Sequence, residues 1–192
     1  MKRWTVVLVA LLLGIPAGGC TPDFGESGEA PVILRIVSIS TEAGEEEEEG
    51  AFLNSDVSPI FNDNAVIELE VLSKNPQLVG ALPLQDVLVE RYEVRYIRSD
   101  GLDTEGVDVP YRISGGLSVL VPANETAEVA LILVRHQAKF EPPLSTLRGP
   151  VGGEIVLSTT AEITLHGRTT AGKVVSTRGF VRIQFADFAD EE

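Results

Sequence analysis

The alternation of apolar and polar residues in short segments constrains the fold of this chain more than any other feature. In residues 65–72 the apolar side chains share one parity and the glutamates share the other: Ala65, Ile67, Leu69 and Val71 against Glu68 and Glu70. This period of two is typical of a β-strand that buries one face. The segments with the same pattern are 91–96, 154–166 and 174–185. Segment 32–39 is a nearly continuous apolar run, which predicts a buried strand. Segment 127–134 is apolar on both parities, which predicts a central strand that is covered on both faces.

Several weaker segments complete the strand prediction. Residues 107–113 predict a short strand that is interrupted by Pro110 and is therefore either an edge strand or a bend, because proline has no amide proton to donate to a neighbouring strand. Residues 117–121 predict another short strand. Residues 137–148 contain two consecutive prolines and predict a crossover loop with a helical turn. Phe180 breaks the alternation of the last strand beside a glycine, which predicts a β-bulge there.

No segment after residue 20 shows the 3.6-residue periodicity of an amphipathic helix, so seven or eight short strands account for the folded part. We therefore predict an all-β fold, an antiparallel two-sheet sandwich with immunoglobulin-like topology. A small β-barrel is the alternative. Residues 31–190 are expected to form this single domain. Within it, residues 41–64 contain five consecutive glutamates, Glu45–Glu49, and predict an irregular, solvated acidic loop.

The first twenty residues differ in character from the rest of the chain. Lys2 and Arg3 precede an apolar run over residues 4–15, and small residues then lead to Cys20, the single cysteine. A basic start, a short apolar run and a small-residue exit are typical of a secretory signal peptide. We therefore expect residues 1–19 to be a signal peptide, since the apolar run is shorter than the roughly 20 residues that span a bilayer.

The sequence Ala17-Gly18-Gly19-Cys20 resembles the lipobox of bacterial lipoproteins. The resemblance implies cleavage between Gly19 and Cys20, a diacylglyceryl group on the cysteine sulfur, and a further acyl chain such as palmitate on the new amine. Two or three acyl chains hold a protein on a membrane without a transmembrane helix. Residues 20–30 comprise this cysteine and a stretch rich in Gly, Ser and Glu, which predicts a flexible tether.

The resemblance also implies a compartment, the bacterial cell envelope. Thr21 favours the outer membrane, because an Asp after the cysteine is typical of lipoproteins retained on the inner membrane. Ordinary secretion, or release into the periplasm, is the alternative. Three further segments resemble uncharacterised single-domain β-sandwich envelope lipoproteins, and this resemblance implies a fold and a compartment but no activity. They are YEVRYIRSDG (92–101), VDVPY (107–111) and FADFAD (185–190).

Composition limits the partners of this protein. The formal net charge of −14 argues against a nucleic-acid surface, which needs clustered lysines and arginines to neutralise phosphates. We expect no nucleic-acid partner. The expected partners are membrane lipid, contacted through the Cys20 anchor, and an unidentified envelope protein or ligand.

Few residues favour a chemical role. His136 and His166 are the two histidines, and we expect each at the surface or at a strand edge, because a zinc site would require them to meet with a third ligand. The loop 100–108 collects four acids that could bind Ca²⁺, but their spacing departs from an EF-hand and favours a solvated turn. These acids are Asp100, Asp103, Glu105 and Asp108. The sequence contains no phosphate-binding glycine loop and no serine nucleophile elbow, so we expect no catalytic residue, cofactor or metal.

The leading hypothesis is therefore a membrane-anchored lipoprotein whose β-sandwich is a non-enzymatic binding module. One alternative is a structural subunit or spacer of an envelope complex. A metal-assisted hydrolase is the third possibility, and the sequence singles out no pair of carboxylates for it.

Overall fold

The computed structural model describes residues 30–43, 46–48, 50–58, 61–75, 84–149 and 155–188. Over these residues the chain forms nine β-strands in two sheets. The strands are β1 (Val32–Ala43), β2 (Glu46–Glu48), β3 (Phe52–Asp56), β4 (Asp63–Ser73), β5 (Val87–Arg98), β6 (Ile113–Val121), β7 (Thr126–Val134), β8 (Leu157–Thr169) and β9 (Val174–Ala186). Two short 3₁₀ helices, His136–Phe140 and Leu144–Leu147, lie between β7 and β8, as predicted for the crossover loop 137–148.

The two sheets face each other across one core. The four-stranded sheet has the order β2-β1-β4-β7, and the five-stranded sheet has the order β3-β9-β8-β5-β6. Every strand pairing of the described residues is antiparallel except that of β3 with β9. One of the sheets curls into a half-barrel. The prediction of an all-β, largely antiparallel sandwich is confirmed at this level.

The core consists of the inward-facing residues of each strand, as the alternation predicted. In β4 the four apolar residues that share one face, Ala65, Ile67, Leu69 and Val71, have no exposed surface. The corresponding fully buried residues of the other long strands are Val94 in β5, Ala161, Ile163 and Leu165 in β8, and Val181, Ile183 and Phe185 in β9. Burying one such branched or aromatic side chain stabilises the fold by about 1.5–3 kcal/mol.

The strands formed by the two apolar runs are less buried than predicted. In β1, Ile33 and Val37 are 49% and 45% exposed. The segment 127–134 belongs to β7, which is an outer strand of the four-stranded sheet rather than a central one. Each sheet of a two-layer sandwich has one side in solvent, so an apolar run cannot be covered on both faces.

For residues 107–113 the predicted edge strand is wrong, and the alternative of a bend is the one that the structure shows. Val109 makes a single bridge with Glu105, and β6 begins only at Ile113. A tight turn takes up this segment instead, in which the Gly106 amide donates to the Val109 carbonyl at 2.8 Å. The predicted strand 117–121 is the second half of β6.

The predicted bulge at Phe180 is also wrong. Strands β8 and β9 pair without a register shift along their whole length. Gly179 occupies the inward position, where an added Cβ would lie 2.8 Å from the Cδ1 atoms of Ile36 and Ile39 in the facing sheet. A glycine therefore fills the core position where the two sheets approach, and Phe180 faces solvent, 56% exposed.

Residues 41–64 are more regular than the predicted acidic loop. Strand β1 continues to Ala43, β2 pairs with its last residues, and β3 adds to the five-stranded sheet with Leu53 fully buried. A short strand of glutamates is compatible with a sheet edge, because backbone pairing needs no apolar side chain there and charge discourages further pairing.

The predicted signal peptide, Gly19, Cys20 and nearly all of the tether lie outside the described residues. Among the residues that are described, the structure contains no helix with the length and apolar character needed to cross a bilayer.

Candidate functional site

A buried ion pair lies at one end of the sandwich. Asp63 begins β4 on the same inward parity as Ala65, and Lys139 comes from the first 3₁₀ helix. The Lys139 ammonium lies 3.0 Å from Oδ1 of Asp63, and neither side chain has exposed surface. The Ser55 hydroxyl of β3 donates to the other carboxylate oxygen at 2.6 Å. The three groups therefore tie β3, β4 and the 3₁₀ helix together.

Burial determines the electrostatics of this pair. Loss of water raises the pKa of Asp63, while the charge of Lys139 and the hydrogen bond from Ser55 act in the opposite direction. The ammonium of Lys139 also lies 5.0 Å from the centre of the Phe61 ring, within the range of a cation–π contact. A substrate cannot reach groups that are shielded completely from solvent, so the pair acts as a structural anchor and not as an acid–base catalyst.

Tyr96 closes the buried region on the side of β5. Its hydroxyl donates to the Leu133 carbonyl at 2.6 Å, and its ring meets Phe185 edge-on with 6.5 Å between ring centres. Burial, and then the negative charge of Asp63, raise the pKa of Tyr96. The phenol therefore remains a neutral hydrogen-bond donor that fixes the end of β7.

A surface cavity of about 390 Å³ opens beside the ion pair. The Oδ1 atom of Asn62 accepts the backbone N–H of His136 at 2.9 Å and lies 3.2 Å from Nδ1 of the same residue. These contacts fix the imidazole at the cavity wall. The residues that line the cavity are Asn62, Ile132, Arg135, His136, Gln137, Ala138 and Glu141. They offer hydrogen-bond donors and acceptors and charges of both signs to a ligand.

The strand register fixes where this cavity lies in the fold. Strand β1 starts at Val32, opposite Ser73, and ends at Ala43, opposite Asp63. Asp63 pairs in turn with Val134, which directly precedes the cavity-lining Arg135. The cavity and the ion pair are therefore at the end of the sandwich where β1 finishes. At roughly 3.3 Å per residue this end, which we call the distal end, lies about 35 Å from the start of β1.

The structure separates the two histidines. His136 lines the cavity at the distal end, whereas His166 is on the outer face of β8 with Nε2 at 3.9 Å from the Glu93 carboxylate. His166 pairs with Ser176, whose strand begins at the opposite end of the sandwich. In the described ranges no three His, Cys, Asp or Glu side chains are grouped so that they could hold a metal ion.

The acidic loop 100–108 is held by arginines. Arg98 donates through Nε to both oxygens of Asp100 at 2.9 and 3.0 Å, and this hydrogen bond lowers the pKa of Asp100. The remaining contacts are Asp103 with Arg95, Glu105 with Arg112, and Asp108 with the Thr104 amide. Asp108 also lies 3.9 Å from Nη1 of Arg98, so Asp100 and Asp108 share this arginine while Asp103 and Glu105 pair with others.

The sequence analysis did not predict the buried pair, although the pattern of β4 indicated that one of its two members is buried. Asp63 has the same parity as the buried apolar residues of β4, and a carboxylate on an inward parity requires a buried partner. Lys139 lies in a crossover without periodicity, so nothing in the sequence identified it as that partner. Tertiary packing alone brings together residues 76 positions apart.

Comparison with known proteins provides no functional information. No protein-family model matches the chain, and no curated protein matches it. One similar solved structure is the X-ray structure of Northeast Structural Genomics Consortium target SoR45, with 9% identity over 84% of this chain and 92% of that chain and a TM-score of 0.40. Another is a structural-genomics target named for the ApaA protein of Bordetella pertussis, with 12% identity over 81% and 94% of the two chains and a TM-score of 0.36.

Proposed function

We propose that this chain is a lipid-anchored protein of the bacterial cell envelope whose immunoglobulin-like β-sandwich presents its distal end to a binding partner. The geometry that carries this proposal is the direction of β1. The predicted anchor, Cys20, precedes Val32 by twelve positions, so the chain enters the sandwich at the end opposite the cavity.

The tether and the sandwich together set the distance from the membrane. Residues 21–31 reach at most about 40 Å when fully extended, at roughly 3.6 Å each. The relaxed length of such a linker is about 18 Å, on the scaling for Gly-rich chains. With β1 adding about 35 Å, an anchored molecule would hold the distal end well clear of the lipid head groups.

The buried ion pair supports a binding role for the distal end. A binding surface loses less entropy on association when its groups are held in place beforehand. Lys139 lies in the 3₁₀ helix that begins at His136, and Asp63 follows Asn62 in the chain. Both walls of the cavity are thereby fixed to the core through one buried contact.

A non-enzymatic role is part of the proposal. Its support is that the most unusual polar groups of the fold, Asp63 and Lys139, are inaccessible to substrate. The accessible His136 has its Nδ1 atom beside Asn62, an amide, rather than beside a nucleophile or a carboxylate.

The anchor is tested by membrane fractionation of the full chain and of Cys20→Ser in a diderm bacterial host. We expect the unaltered chain in the membrane fraction, and the variant in the soluble fraction or unprocessed, with the same β-sheet circular dichroism. Loss of the β-sheet signal in Cys20→Ser would contradict a purely anchoring role of the cysteine.

The binding end is tested by placing a photo-crosslinking amino acid at Gln137, which is exposed at the distal cavity, in living cells. Ser176 is the matched control, because it is exposed on β9 beside the entry end of the sandwich. We expect a reproducible crosslinked product at position 137 and none at position 176. The reverse pattern, or equal products at both sites, would reject the distal end as the binding surface.

A further inference from the structure

The first 3₁₀ helix places opposite charges at the two ends of one row of side chains. The Ala138 amide donates to the Arg135 carbonyl at 3.0 Å, and the Glu141 amide donates to the Ala138 carbonyl at 3.2 Å. Two successive turns of this kind bring every third side chain to the same side, because a 3₁₀ helix has three residues per turn. Arg135, Ala138 and Glu141 therefore follow one another along one side of the helix, and all three line the distal cavity.

The spacing of this row keeps the two charges apart. A 3₁₀ helix rises about 2.0 Å per residue, so the Cα atoms of Arg135 and Glu141 are about 12 Å apart along its axis. Ala138 lies between them, and its small side chain leaves the middle of the row open. Within the part of the chain that the structure describes, neither Arg135 nor Glu141 forms an ion pair, with each other or with a third group. The cavity therefore presents a cation and an anion that do not neutralise each other.

Arg135 is held in place with most of its donors unused. Its Nη2 atom donates to the Ser114 carbonyl at 3.1 Å. A guanidinium has five N–H donors in a planar fork that matches the two oxygens of a carboxylate. The Ser114 carbonyl therefore fixes the guanidinium at the cavity and leaves donors for a carboxylate of a ligand.

The other wall of the cavity supplies an acceptor and apolar surface. Oδ1 of Asn62 accepts the backbone N–H of His136 and lies 3.2 Å from its Nδ1 atom, so Nδ1 carries the proton of the neutral ring. The Nε2 atom of His136 is then an acceptor, like the carboxylate of Glu141. Ile132 adds apolar contact for the carbon atoms of a ligand. The cavity thus combines acceptors for an ammonium group with donors for a carboxylate.

From this arrangement we propose that the distal cavity binds a zwitterionic ligand of the peptide class, whose carboxylate pairs with Arg135 and whose ammonium group pairs with Glu141. This ligand assignment rests on the proposed binding role of the distal end. The cavity volume of about 390 Å³ is within the range of small-molecule sites. An extended dipeptide spans roughly 7 Å, so it fits between two side chains that reach towards each other from the ends of the row.

The charge of the whole chain favours a zwitterion over a simple anion. The formal net charge of −14 repels an anionic ligand as it approaches. A zwitterion has no net charge and escapes this repulsion, while its carboxylate still matches the fork of Arg135. Glu141 at the other end of the row then contributes an attraction, where it would repel an anion.

The test is isothermal titration calorimetry of the full chain in detergent with alanyl-alanine, in its L,L and its D,D form. N-acetyl-alanyl-alanine lacks the ammonium group and alanyl-alanine amide lacks the carboxylate, so these are the matched ligands. We expect saturable binding of the dipeptide in at least one form, and binding of each capped ligand that is weaker by about tenfold or more, because each loses one charge-assisted contact. No saturable binding of either dipeptide in the millimolar range would overturn the proposal, as would equal binding of the free and capped ligands.

Two variants assign the ends of the ligand. Arg135→Gln should weaken binding of the dipeptide about tenfold and leave that of the amide unchanged, whereas Glu141→Gln should weaken binding of the dipeptide and leave that of the acetylated form unchanged. Arg182→Gln is the matched control, since it removes another arginine without an ion pair among the described residues, from a separate groove beside Phe52 and Phe180. Arg182→Gln should bind like the unaltered chain. A loss that is equal for all ligands, or equal in Arg135→Gln and Arg182→Gln, would overturn the assignment.

The crosslinking experiment at Gln137 keeps this inference separate from the binding role of the distal end. A crosslinked product at position 137 in a chain that binds no dipeptide would overturn the zwitterion and retain the distal end as the binding surface. Loss of that product when dipeptide is added would support the inference, because ligand and partner would then compete for the same cavity.

Discussion

Lys139 and Asp63 are paired inside the sandwich, with 3.0 Å between Nζ and Oδ1 and no exposed surface on either side chain. A buried pair of this kind contributes little net stability over an apolar pair of the same shape, because both ions lose their water. Removal of one partner is different, since it leaves the other charge buried without compensation. The pair therefore specifies the position of the crossover helix.

Lys139→Met is expected to lower the free energy of unfolding by about 3–5 kcal/mol, because Asp63 stays buried without its counter-ion. Urea unfolding measures this change. The control is Arg35→Met, which removes an exposed ion pair with Glu70 and should change the free energy by less than about 1 kcal/mol. The double variant Asp63→Leu with Lys139→Met should recover most of the loss. A Lys139→Met variant that is no less stable than Arg35→Met would contradict the role of the pair.

The pH dependence of stability should reveal the burial of Asp63. Burial raises the pKa of Asp63 above its ordinary value of 3.8. The contribution of this pKa difference to the free energy of unfolding is therefore fully present below pH 3.8 and is lost as the pH rises through the folded-state pKa. The free energy of unfolding of the unaltered protein, relative to that of Asp63→Asn, should therefore decrease as the pH rises through this window. A difference that is constant with pH would show that the carboxyl group has no raised pKa.

The contribution of Asp187 to the pH dependence of stability should have the opposite sign to that of Asp63. Hydrogen bonds from the Ser58 hydroxyl and then the Gly149 amide lower the pKa of Asp187. Its contribution to the free energy of unfolding is therefore present above pH 3.8 and is lost as the pH falls through the folded-state pKa. Stability relative to Asp187→Asn should therefore decrease on acidification, and Ser58→Ala should reduce this dependence. Unfolding curves at several pH values measure both, and a change of the same sign as for Asp63 would refute the assignment.

Gly167 should tolerate no side chain. An added Cβ would lie 2.6 Å from the backbone carbonyl oxygen of Leu88 in the neighbouring strand, and a backbone atom cannot rotate away. We expect Gly167→Ala to destabilise the protein by about 1–3 kcal/mol, as overpacking does. Gly116→Ala is the matched control in an exposed strand position with empty space around it, and it should be close to neutral. Equal stability of the two variants would show that β5 and β8 are farther apart at this point.

Local patterns predicted the strands, because consecutive residues show which side chains of a strand share one face. The alternation around Ile67 and around Ile163 identified β4 and β8 and their buried faces. It failed for β1 and β7, because an apolar run does not reveal which face meets solvent. It also failed at Phe180, because Gly179 is a core residue here only through its approach to Ile36 in the facing sheet.

The candidate site was less accessible to sequence reasoning. His136 was expected at the surface or at a strand edge, and the structure places it half-buried at a cavity wall beside Asn62. The pairing of Asp63 with Lys139 depends on the path of the crossover, which local periodicity does not encode. Long-range contacts of this kind follow from the assembled fold.

The lipid anchor at Cys20 is the central claim of this account, and the intact mass of the mature protein extracted from membranes tests it most directly. We predict a chain that begins at Cys20 and carries the added mass of a diacylglyceryl group, with a further acyl chain on its amine. A chain that begins at another residue, or a Cys20 that reacts as a free thiol and carries no added mass, would contradict the anchor.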